Sequence, residues 1–271
     1  MLLKSIAAVS VFIAGLLYFC LDLALWLVPV IFVLAFLVLG LLAFGFLWLV
    51  CALVDMEKPQ EEDSRFYRFV MDLYIEALVS LVLARVQPTG LEKTPKEGRF
   101  LLVCNHLFLA DPGVLLHCFR KSQLSFITKQ ENEKLFVVGP IMHKILCQSL
   151  DRNNDRQALK VILKCIQLIK EDQVSIGVFP EGYTSRDGKL HHFRSGVFKI
   201  AQKTQVPIVV CTIQNTRMIF KNLKKLRTTQ IPLHLVDVLY PEDYQGLSTT
   251  QISDKVYEMM IADLGEHWRV E

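Results

Sequence analysis

Strong charge, paired cysteines and repeats are all missing from this chain of 271 residues, and each absence excludes something. The net charge is only +3, from 30 Lys and Arg against 27 Asp and Glu. That balance is too mild to imply a nucleic-acid partner, although it suits work near an anionic membrane surface. The seven cysteines form no C-x-x-C and lie scattered at Cys20, Cys51, Cys104, Cys118, Cys147, Cys165 and Cys211. This spacing supports neither a disulfide scaffold nor a metal site, and it fits a reducing compartment. There is no internal repeat, no low-complexity segment and no G-x-S-x-G nucleophile elbow. Disorder is excluded by what takes their place, since 52% of the residues are apolar.

Charge is scarcest at one end. From Ile6 to Val54 the only charged side chain is Asp22. A spanning helix needs about 20 apolar residues, so the run has room for two. A break is expected between Asp22 and Pro29, because proline lacks the helix donor and its predecessor avoids the helical region. Trp26 at the break suits a membrane interface. The pattern predicts a transmembrane helical hairpin over 3–25 and 29–54, with one long tilted helix as the competing reading. A cleaved signal peptide is too short, since its apolar region runs only about 7–15 residues. Lys4 lies before the run, and Lys58, Arg65 and Arg68 lie after it. By the positive-inside rule a hairpin leaves both ends, and everything after it, in the cytoplasm.

Residues 57–64 read as a polar linker. A helix is expected from Phe66 to Val86, because Phe66, Phe69, Val70, Leu73, Ala77, Leu78, Leu81 and Val82 recur at a helical period, with Arg65, Arg68, Asp72 and Glu76 mostly off the stripe. This helix either lies on the bilayer or packs on the domain that follows. Gly90 and Pro95 mark a turn after it. From Arg99 onward, short apolar runs alternate with helical segments. Strands are expected at 100–104, 124–128, 147–150, 174–179, 208–213 and 233–238, and helices at 112–120, 132–145, 156–171, 195–204 and 249–269. The expected fold class is α/β, a largely parallel sheet flanked by helices, behind the N-terminal hairpin. Chemistry in such sheets collects in loops at the carboxyl ends of the strands.

Four segments occupy those loops. Asn105-His106 follows the first strand, and Asp111 comes five residues after the histidine, at a helix start marked by Pro112. A carboxylate there can hold one imidazole tautomer and leave the other nitrogen to take a proton. These are two members of a catalytic triad without its serine, so the proton has to come from a substrate. A purely structural His–Asp pair is the other reading. The second segment, Phe179-Pro180-Glu181-Gly182-Tyr183-Thr184-Ser185-Arg186, has a carboxylate, hydroxyls and a cation that suit a polar head group. It could equally be a solvated turn. Arg152, in the third, has the geometry for phosphate oxygens, and a charged helix cap is its alternative. The fourth, Val206-Pro207-Ile208-Val209, reads alone as a buried strand.

Taken together and in this order, the four segments resemble the glycerolipid acyltransferase family, with its N-H-x-x-x-x-D, arginine, F-P-E-G-T-R-S and V-P-I-V blocks. Gly90-Leu91-Glu92 and Phe193–Ala201 agree as well, and the resemblance covers roughly residues 66–240. It implies that a fatty acyl group moves from a thioester, acyl-coenzyme A or acyl carrier protein, to a lysophospholipid hydroxyl, foremost that of 1-acylglycerol-3-phosphate. The implied general base is His106, oriented by Asp111, with no bound cofactor and no metal. Asn105, Arg152, Glu181, Gly182, Thr184, Ser185, Arg186 and Arg194 are the implied acceptor-binding set. One departure stands out: Thr184 occupies the place of the family arginine, with Arg186 or Arg194 as replacements. The implied division is a hairpin anchor at 1–56, a linker and interfacial helix at 57–98 and an acyltransferase domain at 99–271. The implied location is a bacterial plasma membrane or endoplasmic reticulum, with membrane lipids as partners. The alternatives are a lipid hydrolase using the same His–Asp pair, or a non-catalytic lipid-binding protein on this fold.

Overall fold

A computed structural model describes residues 1–151 and 155–270. The chain opens with two apolar helices, α1 (Leu2–Leu21) and α2 (Leu27–Ala52), packed against each other. Both are long and apolar enough to cross a membrane. The single-helix reading is thereby excluded. Asp22, at φ +44, ends α1 in the left-handed conformation and returns its N–H to the Tyr18 carbonyl. Pro29 sits in the first turn of α2, where backbone N–H groups have no partner within the helix. It therefore starts the second helix without kinking it.

Next come α3 (Arg65–Leu81), β1 (Ala84–Thr89), β2 (Leu101–Cys104), α4 (Asp111–Cys118), β3 (Leu124–Lys129), α5 (Val138–Lys144), β4 (Gln148–Leu150) and α6 (Asp155–Lys170). β5 (Ser175–Val178), α7 (Lys199–Thr204), β6 (Ile208–Ile213), α8 (Ile219–Leu223), β7 (Thr229–Leu239), α9 (Pro241–Tyr244) and α10 (Thr249–Leu264) complete the order. The strands form one seven-stranded sheet in the order β1-β7-β6-β2-β5-β3-β4. Every neighbouring pair is parallel except β6 and β7. Leu101 and Val103 of β2 join one core layer with α6, α7 and α10; Leu102 and Cys104 join the opposite layer with α4. Alternate side chains leave a strand on opposite faces, so a strand covered on both sides must be apolar throughout.

Two elements depart most from the sequence pattern. The helix expected through Val86 stops at Leu81, and 84–89 instead form β1 at the sheet edge. Pro88, which has no N–H to give to a ladder, is tolerated at an edge. The helix expected over 132–145 is broken: a 3-10 turn covers Gln130–Lys134 and α5 begins at Val138. Pro140 fits only the first turn of a helix, so α5 cannot begin much earlier.

The apolar residues of α3 divide between a packed and an open side. Val70, Met71 and Ala77 are buried, while Phe66, Phe69, Leu78 and Leu81 remain exposed. Arg68, expected off the packed face, is in fact buried. Its Nε bonds Asp63 at 2.8 Å, Nη1 donates to the Leu124 carbonyl at 2.7 Å, and Nη2 reaches Ser125 Oγ at 3.0 Å. One guanidinium thus fastens α3 to the start of β3.

Candidate active site

The carboxyl ends of β2 through β6 lie along one edge of the sheet, and the loops beyond them form the site. Just past β2, the Asn105 amide accepts from the Ile213 N–H at 2.8 Å and donates to its carbonyl at 2.9 Å. Asn105 is buried and ties the end of β2 to the end of β6. Its side chain is spent on backbone, so it braces the site.

His106 and Asp111 meet. Nδ1 lies 2.8 Å from Asp111 Oδ2. That same oxygen accepts the N–H groups of Leu107 and Phe108, each at 2.7 Å, and Asp111 is wholly buried at the first position of α4. A carboxylate requires the hydrogen on Nδ1, which leaves Nε2 with the lone pair. The imidazole stacks on Phe179, with ring centres 4.2 Å apart, and Phe179 stacks in turn on Phe126. Among the described residues no serine or cysteine side chain is bonded to this histidine. Such a dyad can take a proton from a bound hydroxyl.

The loop after β5 is locked to the loop after β2. Buried Glu181 accepts the His106 N–H at 2.8 Å and the His191 N–H at 3.1 Å. Burial pushes its carboxyl up to about 7, against the pull of those two donors. The Ser185 N–H donates to the His106 carbonyl at 2.8 Å. Gly182, at φ +78, makes room for a neighbour: a Cβ there would come within 2.9 Å of Arg194 Nε. Ser185 Oγ is committed inside the turn, donating to Asp187 at 2.9 Å and accepting the Gly188 N–H at 3.0 Å. Asp187 is held well below the usual carboxylate range, first by the Lys189 N–H and then by bonds from His191 and Ser185.

A cleft of about 500 Å³ opens on this loop, lined by Lys129, Tyr183, Thr184, Arg186, Asp187 and His191. Glu181 joins it to the His106 loop through the His191 backbone. Of the expected acceptor set, Thr184 and Arg186 face the cleft, and Arg194 lies against Gly182. Asn105, Glu181 and Ser185 are occupied within the protein, and Arg152 lies outside the described residues. Lys129, the last residue of β3, lies outside the four sequence segments. The rule that sites gather at carboxyl ends of strands, applied to that strand, points to it.

A family model described as Acyltransferase matches residues 85–214. The 1-acyl-sn-glycerol-3-phosphate acyltransferase of Borreliella burgdorferi is 29% identical over 180 residues, covering 64% of this chain and 71% of that protein. A "Probable 1-acyl-sn-glycerol-3-phosphate acyltransferase" of Mycoplasma pneumoniae is 32% identical over 178 residues, covering 64% of each chain. These likenesses support the glycerolipid acyltransferase family for this chain, and with it an O-acyltransferase. The fold agrees with the crystal structure of the 1-acyl-sn-glycerophosphate acyltransferase of Thermotoga maritima. The TM-score is 0.61 at 23% identity, covering 84% of this chain and 89% of that one.

Proposed function

We propose that this acyltransferase moves a fatty acyl group from an acyl thioester to the free hydroxyl of a lysophospholipid, foremost 1-acylglycerol-3-phosphate, at a membrane surface. The observation that carries this reading is the His106–Asp111 dyad, 2.8 Å apart, joined through Glu181 to a cleft lined by cations. His106 Nε2 removes the acceptor's hydroxyl proton as that oxygen attacks the thioester carbonyl. A C–O bond forms, the C–S bond breaks, and the departing thiolate takes the proton back from the imidazolium. Asp111 stabilises the imidazolium between these steps. No acyl-enzyme is needed. Lys129 and Arg186 hold the acceptor phosphate in the cleft, with Arg152 and Arg194 as further candidates, in place of the arginine replaced by Thr184.

The apolar hairpin at 1–56 anchors the chain, 57–98 joins it to the surface through α3 and adds β1 to the edge of the sheet, and 99–271 carries the chemistry on the cytoplasmic face. The donor is acyl-coenzyme A or acyl carrier protein. A labelled thioester assay with lysophosphatidic acid and with a lysophosphodiester tests the reading. Labelled ester formed on lysophosphatidic acid is the expected result. Free fatty acid released at the same rate with and without acceptor would make the protein a hydrolase. A Thr184→Arg variant tests the cleft: on lysophosphatidic acid its KM should fall or hold. Loss of lysophosphodiester turnover only, by about tenfold, would point to a larger natural head group.

A further inference from the structure

Charge is distributed along the chain in a way the catalytic loops do not account for. Between Asp187 and Asp237 there is no Asp or Glu, yet this stretch holds nine Lys and Arg. The rest of the chain holds 21 against 27. Four of the nine, Lys221, Lys224, Lys225 and Arg227, fall within seven residues on α8 and the turn after it, and all four are exposed. None of the four forms an ion pair with a described residue. Leu226, between them, is 84% exposed at φ +52, a backbone conformation that a branched apolar side chain rarely adopts. The turn holds it there: Leu226 N–H donates to the Leu223 carbonyl and Arg227 N–H to that of Asn222, each at 2.9 Å.

The position of this tract is as telling as its charge. Asn222 bonds Thr229, whose N–H donates to the Leu83 carbonyl at 2.9 Å, just past the end of α3. The amino terminus of α1 bonds Glu76, on the same helix α3. The cations therefore stand near the base of the apolar hairpin, where hydrocarbon would give way to head groups. On the other side, Phe220 lies edge-on to Phe108 in the His106 loop, with ring centres 5.4 Å apart, beside Leu109, which is 71% exposed.

We propose that Phe220–Arg227 is a docking surface for anionic phospholipid head groups. Leu226 and Phe220 enter the interface and the four cations engage phosphates around them. The contact seats the His106 loop, through Phe108, against the surface that supplies its lipid substrate. This inference rests on the membrane reading above. Charge alone would also suit an acidic protein, but an exposed leucine at the foot of an apolar hairpin favours lipid.

Hydrogen exchange on the full chain in nanodiscs tests it. In phosphatidylcholine containing roughly 30% phosphatidylglycerol, amides of 219–228 should exchange about tenfold more slowly than in phosphatidylcholine alone, and about 0.5 M NaCl should abolish the difference. A Lys221→Gln/Lys224→Gln/Lys225→Gln variant should lose the difference while keeping native protection in β2 and β6. Protection of α1 and α2 in the same discs reports separately on the membrane reading. Inserted helices with lipid-independent exchange at 219–228 would overturn the docking surface alone. Slowing by added acyl carrier protein, but not by phosphatidylglycerol, would overturn it in favour of an acidic partner.

Discussion

A single carboxylate oxygen, Asp111 Oδ2, accepts from two backbone amides and from the imidazole of His106. Removing the whole group differs from neutralising it. Asp111→Asn should keep the fold and lose rate, because an amide cannot stabilise the imidazolium. Asp111→Ala should also cost about 1–3 kcal/mol of stability by stranding the buried Leu107 N–H. His106→Ala should lower turnover by about 10²–10⁴-fold. Near-normal turnover in a folded His106→Ala protein would end the direct-attack mechanism. Glu181 makes a prediction about pH. Its carboxyl moves from an ordinary 4.5 to about 7 on folding, so the folded chain keeps a proton that the unfolded chain releases. The stability from this group is full below 4.5 and is lost as pH rises through 7. Denaturation of the solubilised chain beside Glu181→Gln should show the native advantage shrinking by up to about 3 kcal/mol across that window. A gap that does not change with pH would sink the idea.

Among the elements, α3 shows how far periodicity reaches. Its apolar stripe is visible in the sequence; the place of Arg68 is not. The guanidinium is buried because the carbonyl of Leu124, the hydroxyl of Ser125 and the carboxylate of Asp63 converge on it from separate segments. Substituting Arg68 by Ala leaves Asp63 without its cation and should cost about 3–5 kcal/mol, read as a lowered unfolding midpoint in detergent. Arg68→Lys keeps the charge without the fork and should fall between the two. A loss below about 0.5 kcal/mol for the alanine variant, the level of an ordinary surface change, would show that the pair adds nothing. β1 is the complementary case: the apolar residues running from α3 toward Val86 look continuous, but Leu83 turns at φ +52 and the chain enters the sheet.

On the scale of the whole molecule, the apolar hairpin is joined to the α/β domain by contacts rather than by a linker alone. Leu47 and Cys51 of α2 pack with Val70, Tyr74, Val137 and Ile141. Tyr74 donates to the Ala43 carbonyl at 2.6 Å, and Tyr67 to that of Val50 at 3.1 Å. Deleting 1–56 should free much of the chain from salt-washed membranes, yet uncover this cluster. Deleting only 1–40 keeps it and should give the higher unfolding midpoint. Equal midpoints for the two truncations would mean that the docked turns of α2 contribute nothing to the domain.

Sequence alone determined what is local. Two apolar stretches with a break at Asp22–Pro29 favour two helices, and a histidine five residues before a carboxylate at a helix start is within reach of it. The alternation of short apolar runs with helical segments requires strands covered on both faces, so the α/β class was legible too. Tertiary structure decided what depends on partners far along the chain. Asn105 looked free to bind substrate until Ile213, 108 residues away, took both ends of its amide. Ser185 looked available until its own turn closed around it. Lys129 became part of the cleft because β3 lies beside β5 and ends at the same edge. The reversed direction of β7 beside β6 was likewise invisible, since an apolar run reads the same in either direction. Periodicity records which side chains avoid water; which groups satisfy one another is settled only when distant segments are brought within hydrogen-bonding distance.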